Sequence, residues 1–185
     1  DEGEPLVLDV VKEAERVIIS DASLNKEYLG VEGNTEFNRL SAEFAFGEAS
    51  PALAENRVAT VQSLSGTGAL RICAAFLAQF DCRSAGTIHL PSPSWGNHTN
   101  IFRAGGLDVA SYDYVDSSGT ALDFGAMRNA LSNQVPHGGA VLLHACAHNP
   151  TGIDPTHAEW EELAAICAER SLLPVFDSAY QGYAS

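Results

Sequence analysis

Apolar residues recur at helical spacing over 6–19, and Pro5 suits a first turn ahead of them, so the chain is expected to open on an amphipathic helix. A second helix is expected over Thr35–Phe46, where Phe37, Leu40 and Phe44 fall on one face and Asn34 or Thr35 can cap the start. From Arg57 onward strand-like and helix-like stretches alternate. Strands are expected over 58–64, 87–90, 107–112, 140–145 and 172–176, and helices over 68–80, 95–103, 123–131 and 156–170. Such alternation implies a mostly parallel sheet covered by helices on both faces.

That topology constrains where chemistry can sit. Right-handed crossovers bring the carboxyl ends of parallel strands to one edge, and open α/β sheets bind ligands there. Ser65, Ser94, Asn149 and Asp177 each follow a strand-like run and are therefore expected to gather at that edge.

With 185 residues, 45% of them apolar, the chain is long enough to bury one sizeable core. A formal net charge of −14, with no basic stripe, argues against nucleic acid and anionic lipid as partners. No apolar run is long enough to span a bilayer. Cys73, Cys82, Cys146 and Cys167 form no C-x-x-C pair, the pattern of reduced thiols in a non-secreted protein. The chain starts at Asp1, has Met127 as its only methionine and stops without a terminal cap, so it is read as an internal stretch of a longer protein.

Four loops carry candidate chemistry. Ser65-Gly66-Thr67-Gly68 precedes a helix, where exposed amides and hydroxyls suit an anion, although any strand–helix turn can hold glycines. It is neither a dinucleotide fingerprint, which needs a third glycine, nor a P-loop, which needs Gly-Lys-Ser/Thr. Trp95 is either a core aromatic or a flat face for stacking on a ring. His98, three residues on, is either structural or the partner of a carboxylate that must stay charged.

Asn149 opens Asn-Pro-Thr-Gly, which also reads as a plain turn. Asp177 ends the apolar run at 172–176 and is either a helix cap or the partner of a protonated ring nitrogen, with Tyr180 near the same ring's phenolic oxygen. His144, Cys146 and His148 would share one face of a strand. Without a fourth ligand or a spaced pair they read as a buried polar cluster behind the pocket, and no metal is expected.

Taken together and in this order, Ser65-Gly66-Thr67-Gly68, Ser94-Trp95-Gly96-Asn97-His98, His148-Asn149-Pro150-Thr151-Gly152 and Asp177-Ser178-Ala179-Tyr180-Gln181-Gly182 resemble the cofactor loops of class I aminotransferases of the aspartate type. The resemblance covers nearly the whole chain. It implies pyridoxal 5′-phosphate (PLP) as cofactor and the type I fold of PLP-dependent transferases, a large domain with a mostly parallel (mixed) sheet between helices, incomplete in this chain. It also implies an N-terminal helical segment at 1–20 near a small-domain junction, and the N-terminal part of the PLP-binding large domain at 21–185.

By the same resemblance, Ser65, Gly66 and Thr67 hold the phosphate, Trp95 stacks on the pyridine ring, and Asn149 and Tyr180 contact its phenolic oxygen. Asp177 bonds the ring nitrogen with His98 behind it, and Trp95 and Asn149 touch the substrate carboxylate. Tyr28, in Glu27-Tyr28-Leu29-Gly30-Val31-Glu32-Gly33, resembles a tyrosine that reaches the neighbouring subunit's PLP, which implies a homodimer. Asp177, Tyr180 and His98 are the catalytic candidates.

The resemblance further implies a lysine that joins the cofactor as a Schiff base. The two lysines present, Lys12 and Lys26, stand in unlike contexts, so that lysine is expected beyond residue 185 and residues 1–185 alone are expected to be inactive. The implied reaction of the full protein is L-aspartate + 2-oxoglutarate to oxaloacetate + L-glutamate, on amino-acid and 2-oxo-acid substrates. An aromatic amino-acid aminotransferase of the same subfamily and a non-catalytic PLP-fold binding protein stand as alternatives. The expected compartment is the cytoplasm, or a mitochondrion or plastid if a transit peptide precedes Asp1.

Overall fold

A computed structural model of the chain describes residues 3, 5–80 and 86–183. Cys82 and most of the first four residues lie outside them. The helices are α1 (Asp9–Ser20), α2 (Thr35–Phe46), α3 (Pro51–Ala54), α4 (Ser65–Phe80), α5 (Asn97–Ala104), α6 (Phe124–Asn129) and α7 (His157–Glu169). The strands are β1 (Thr87–Ser92), β2 (Asp108–Asp113), β3 (Ala140–His144) and β4 (Leu173–Asp177), and a π-helical turn at Ala130–Gln134 follows α6.

All four strands are parallel, in the spatial order β2-β1-β3-β4. The chain steps from β1 outward to β2 and then returns to the other side of β1 as β3, which makes the β1/β3 boundary the switch point where such sheets open a crevice. β1 pairs with β2 over six residues but with β3 only at Ile88↔Ala140 and His89↔Val141. The two central strands therefore part toward their carboxyl ends. In the stretch of β3 that β1 no longer accompanies, the Leu142 carbonyl accepts from the buried Tyr112 hydroxyl at 2.8 Å.

Alternation along β3 builds a core on each face. Val141 and Leu143 pack with Met127, Leu131, Leu163 and Ile166 under α6 and α7. Ala140 and Leu142 pack with Leu70, Ala74, Ile101 and Phe102 under α4 and α5. The helices supply these residues at i, i+3, i+4 or i, i+4, i+7, so helical and strand periods meet in register. Gly105 marks the tightest approach: a Cβ built there overlaps the Cβ of Ala74, so α5 ends against α4 with no room for a side chain. Glu159 and Thr156 close a reciprocal capping box at the start of α7.

Four expectations need correction. Residues 58–64 do not form a strand. Their β-branched content favours extension, but a ladder needs a neighbour, and among the described residues the long-range backbone bond made here is only Gln62 N–H to the Glu32 carbonyl, 2.8 Å. The first helix starts at Asp9 rather than residue 6, so Pro5 is outside its first turn, and none of its residues is buried. α3 was not anticipated, because four residues are too few to show a period. β3 ends at His144, so Cys146 and His148 lie in the following turn and share no strand face with it. Among the described residues no helix is long and apolar enough to cross a membrane.

Candidate active site

Where β1 and β3 part, a cleft of about 700 Å³ opens at the carboxyl edge of the sheet. Ser65, Gly66 and Thr67 line it from the first turn of α4. Trp95 lines it after β1, Asn149 after β3, and Asp177 and Tyr180 from the end of β4 onward. Ser65 has φ 59°, which bends the chain into the left-handed region as the helix begins. Ser65 N–H donates to the Ser63 carbonyl and Gly68 N–H to the Leu64 carbonyl, whereas the Gly66 and Thr67 amides between them have no acceptor within the helix and lie at the positive end of its dipole. A Cβ added to Gly66 would meet no atom within 4 Å, so a ligand has space to approach this backbone closely.

His98 is the second residue of α5 and is wholly buried behind the cleft. Its Nε2 lies 2.7 Å from Asp177 Oδ2, and its Nδ1 lies 2.7 Å from Ser94 Oγ. Ser94 Oγ is also 3.2 Å from His144 Nε2, while His144 Nδ1 accepts the Asn149 amide N–H at 3.2 Å.

For neutral rings, these partners assign the protons of the chain. An amide can only donate, so His144 Nδ1 is bare and the proton of the neutral ring is on Nε2. That N–H donates to Ser94 Oγ, the single Ser94 hydroxyl proton goes to His98 Nδ1, and His98 Nε2–H donates to Asp177. A one-way relay thus runs from the Asn149 backbone to the Asp177 carboxylate.

The electrostatics follow from these bonds. The hydrogen bond from His98 holds the Asp177 carboxyl below its ordinary range, and the nearby imidazoles add attraction, against a smaller opposing effect of partial burial. Burial pushes His144 down to about 4, reinforced by repulsion from His148 and His98. Burial likewise lowers His148 to about 4. The His148 ring is stacked on Tyr114, with centroids 3.9 Å apart, and lies 4.2 Å from the His144 ring. The cleft therefore presents one anion, Asp177, beside the neutral imidazoles of His144 and His148.

The sequence matches the family Aminotransferase class I and II over residues 1–185. The chain belongs to this family. It is 52% identical to aspartate aminotransferase 1 of Medicago sativa over 185 residues, which is 100% of this chain and 44% of that protein. The fold is similar to the solved aspartate aminotransferase from Saccharomyces cerevisiae cytoplasm (TM-score 0.92, 43% identity, 98% of this chain and 43% of that one). It is also similar to an aromatic-amino-acid aminotransferase from Burkholderia pseudomallei solved covalently bound to pyridoxal phosphate (TM-score 0.88, 36% identity, 95% of this chain and 43% of that one). The chain thus spans less than half the length of these relatives.

In this class I and II aminotransferase chain, seven of the nine residues singled out from sequence line one cleft, and His98 stands directly behind it. Tyr28 does not line the cleft and is fully exposed. His144 and His148 are buried as a polar cluster, with His148 behind the site, while His144 and Cys146 both line the cleft. Ser94 and His144 were not recognised as links between His98 and Asn149. Ser94 stands four residues before His98, a visible spacing, but its second partner lies 50 residues away. Cys73, Cys146 and Cys167 are free thiols. Neither Lys12 nor Lys26 lines the cleft.

Proposed function

We propose that the full-length protein is a PLP-dependent transaminase that converts L-aspartate and 2-oxoglutarate to oxaloacetate and L-glutamate. The observation that carries this reading is the Asp177 carboxylate, lowered in pKa and held by His98 while it faces the cleft. An anion kept charged there fits a protonated pyridine nitrogen. The amides and hydroxyls at the start of α4, with the open space beside Gly66, fit the phosphate. When bound, PLP supplies an electrophilic carbon for the amino group and an electron-withdrawing ring.

The remaining work falls to the protein. Asp177 holds the proton on the ring nitrogen, and His98 orients Asp177. Trp95 covers a ring face and excludes water. Asn149 and Tyr180 donate to the ring's phenolic oxygen, and Trp95 with Asn149 borders the substrate carboxylate. Ser65, Gly66 and Thr67 anchor the phosphate. This reading requires a lysine from outside residues 1–185 to join the cofactor and move the substrate's α-proton. It also takes the protein as a homodimer in which Tyr28, whose ring is fully exposed, reaches the partner's cofactor.

The test uses the full-length protein reconstituted with PLP. A visible cofactor band and aspartate:2-oxoglutarate turnover are expected, and Asp177→Ala is expected to lower turnover by about 10²-fold or more. An unchanged rate removes the assigned role. The likeness to an aromatic-amino-acid aminotransferase favours a second reading of substrate choice, which turnover of phenylalanine against aspartate decides.

A further inference from the structure

The aim of the Asn149 side chain depends on the backbone beneath it. Two residues earlier, Ala147 has φ 49°, a left-handed conformation that alanine resists because its Cβ crowds the following carbonyl. Something must hold it there. Asp154 reaches back across the turn, and its two carboxylate oxygens take consecutive amides: Oδ2 accepts from Ala147 N–H at 2.6 Å and Oδ1 from His148 N–H at 2.9 Å. Charge-assisted bonds of this kind are stronger than neutral ones, and taking two adjacent donors fixes the peptide between them.

The rest of the turn is tied around that clamp. Gly152 N–H donates to the His148 carbonyl at 2.6 Å, and the Tyr114 hydroxyl donates to the Ile153 carbonyl at 2.6 Å. Thr151 Oγ1 is 2.8 Å from His148 Nδ1 and accepts Ile153 N–H at 3.1 Å. Asn149 N–H is already committed to His144. Asp154 itself is exposed and does not line the cleft, so contact with a bound ligand does not account for its placement.

We propose that Asp154 is a positioning residue for Asn149: by clamping Ala147 and His148 it holds the left-handed turn that sets where the Asn149 amide enters the cleft. This rests on the transaminase reading of the cleft. Glycine would adopt the same φ at 147 without help, which supplies a rescue.

The experiment compares the full-length wild type with D154A, N149A, D154A/N149A and D154A/A147G. Amide hydrogen exchange over residues 147–149 is measured without cofactor, and transamination is measured with PLP bound. In D154A, exchange at Ala147 and His148 is expected to quicken by about tenfold or more as the turn opens. D154A is expected to lower kcat about tenfold alone but less than about twofold when added to N149A, because both act through one side chain. A147G is expected to restore at least about half of the loss on a logarithmic scale.

Unchanged exchange, or losses that multiply in D154A/N149A as independent structural damage would, overturns the proposal. If D154A does not fold, D154N, which offers one acceptor oxygen instead of two, is read against the same outcomes. An inactive wild type overturns the transaminase reading instead, and the exchange comparison, which needs neither cofactor nor turnover, then decides the clamp alone.

Discussion

His98 and Asp177, 79 residues apart in sequence, meet at 2.7 Å with the imidazole wholly buried and the carboxylate facing the cleft. A buried donor behind an anion at a cleft wall makes the charge permanent on one side and usable on the other. Each link in the relay behind it has a measurable consequence.

His98→Phe keeps an aromatic ring in the space between Trp95 and Phe102 but removes the N–H that bonds Asp177. The Asp177 pKa then rises toward its ordinary range. Under the transaminase reading, the acid limb of the kcat profile is expected to move to higher pH, with a fall of about tenfold at neutral pH. An acid limb that stays in place contradicts the role given to this bond.

Ser94→Ala removes both the donor to His98 Nδ1 and the acceptor for His144 Nε2. Two buried imidazole atoms lose their partners, at a cost of about 1–3 kcal/mol. The drop is expected in the denaturant midpoint of the full-length protein. Ser94→Thr, which keeps the hydroxyl, is expected to retain most of the stability.

Acid is expected to destabilise the fold well before its carboxylates titrate. His144 and His148 are held near 4, below the ordinary value of 6.5, so between those pH values the unfolded chain binds protons that the native chain refuses. Stability conferred by the neutral rings is complete above about pH 6.5 and is lost as pH falls toward 4. From pH 7 to 5 the loss is expected to be on the order of 2 kcal/mol for each ring. Urea titrations at several pH values check this, and His148→Gln is expected to flatten part of the slope. A flat profile over that window contradicts it.

Gly105→Ala forces a Cβ onto Ala74, which is itself fully buried. α4 and α5 must separate, at a cost of about 1–3 kcal/mol in stability. Adding Ala74→Gly is expected to recover part of the loss in thermal midpoint. A neutral Gly105→Ala would show that the helix contact is looser than it stands here.

The parallel sheet was legible because β1 to β4 and the helices between them alternate period two with period 3.6, and each period needs only local residues to be seen. Asn34 and Thr156 could be read as helix starts for the same reason, and the structure shows both caps. The strand expected at 58–64 failed because pairing is a property of two segments, and propensity reports on one. Asp177 could be singled out as a carboxylate closing an apolar run, but the residues alone left His98 either structural or a carboxylate's partner, since nothing local distinguishes it from any helical histidine, and only the family resemblance set it behind Asp177.

By itself the sequence determined the order of elements, the glycine and hydroxyl turn before α4, and the set of loops that return to one edge of the sheet, all of which follow from local periodicity and turn chemistry. Only the tertiary structure decided that β1 and β3 part, that Ser94 bridges His98 to His144, and that Asp154 holds Ala147 in a left-handed turn. Those outcomes depend on hydrogen bonds at 2.6–3.2 Å between groups from different loops, and such distances exist only once packing has fixed the strands and helices that carry them.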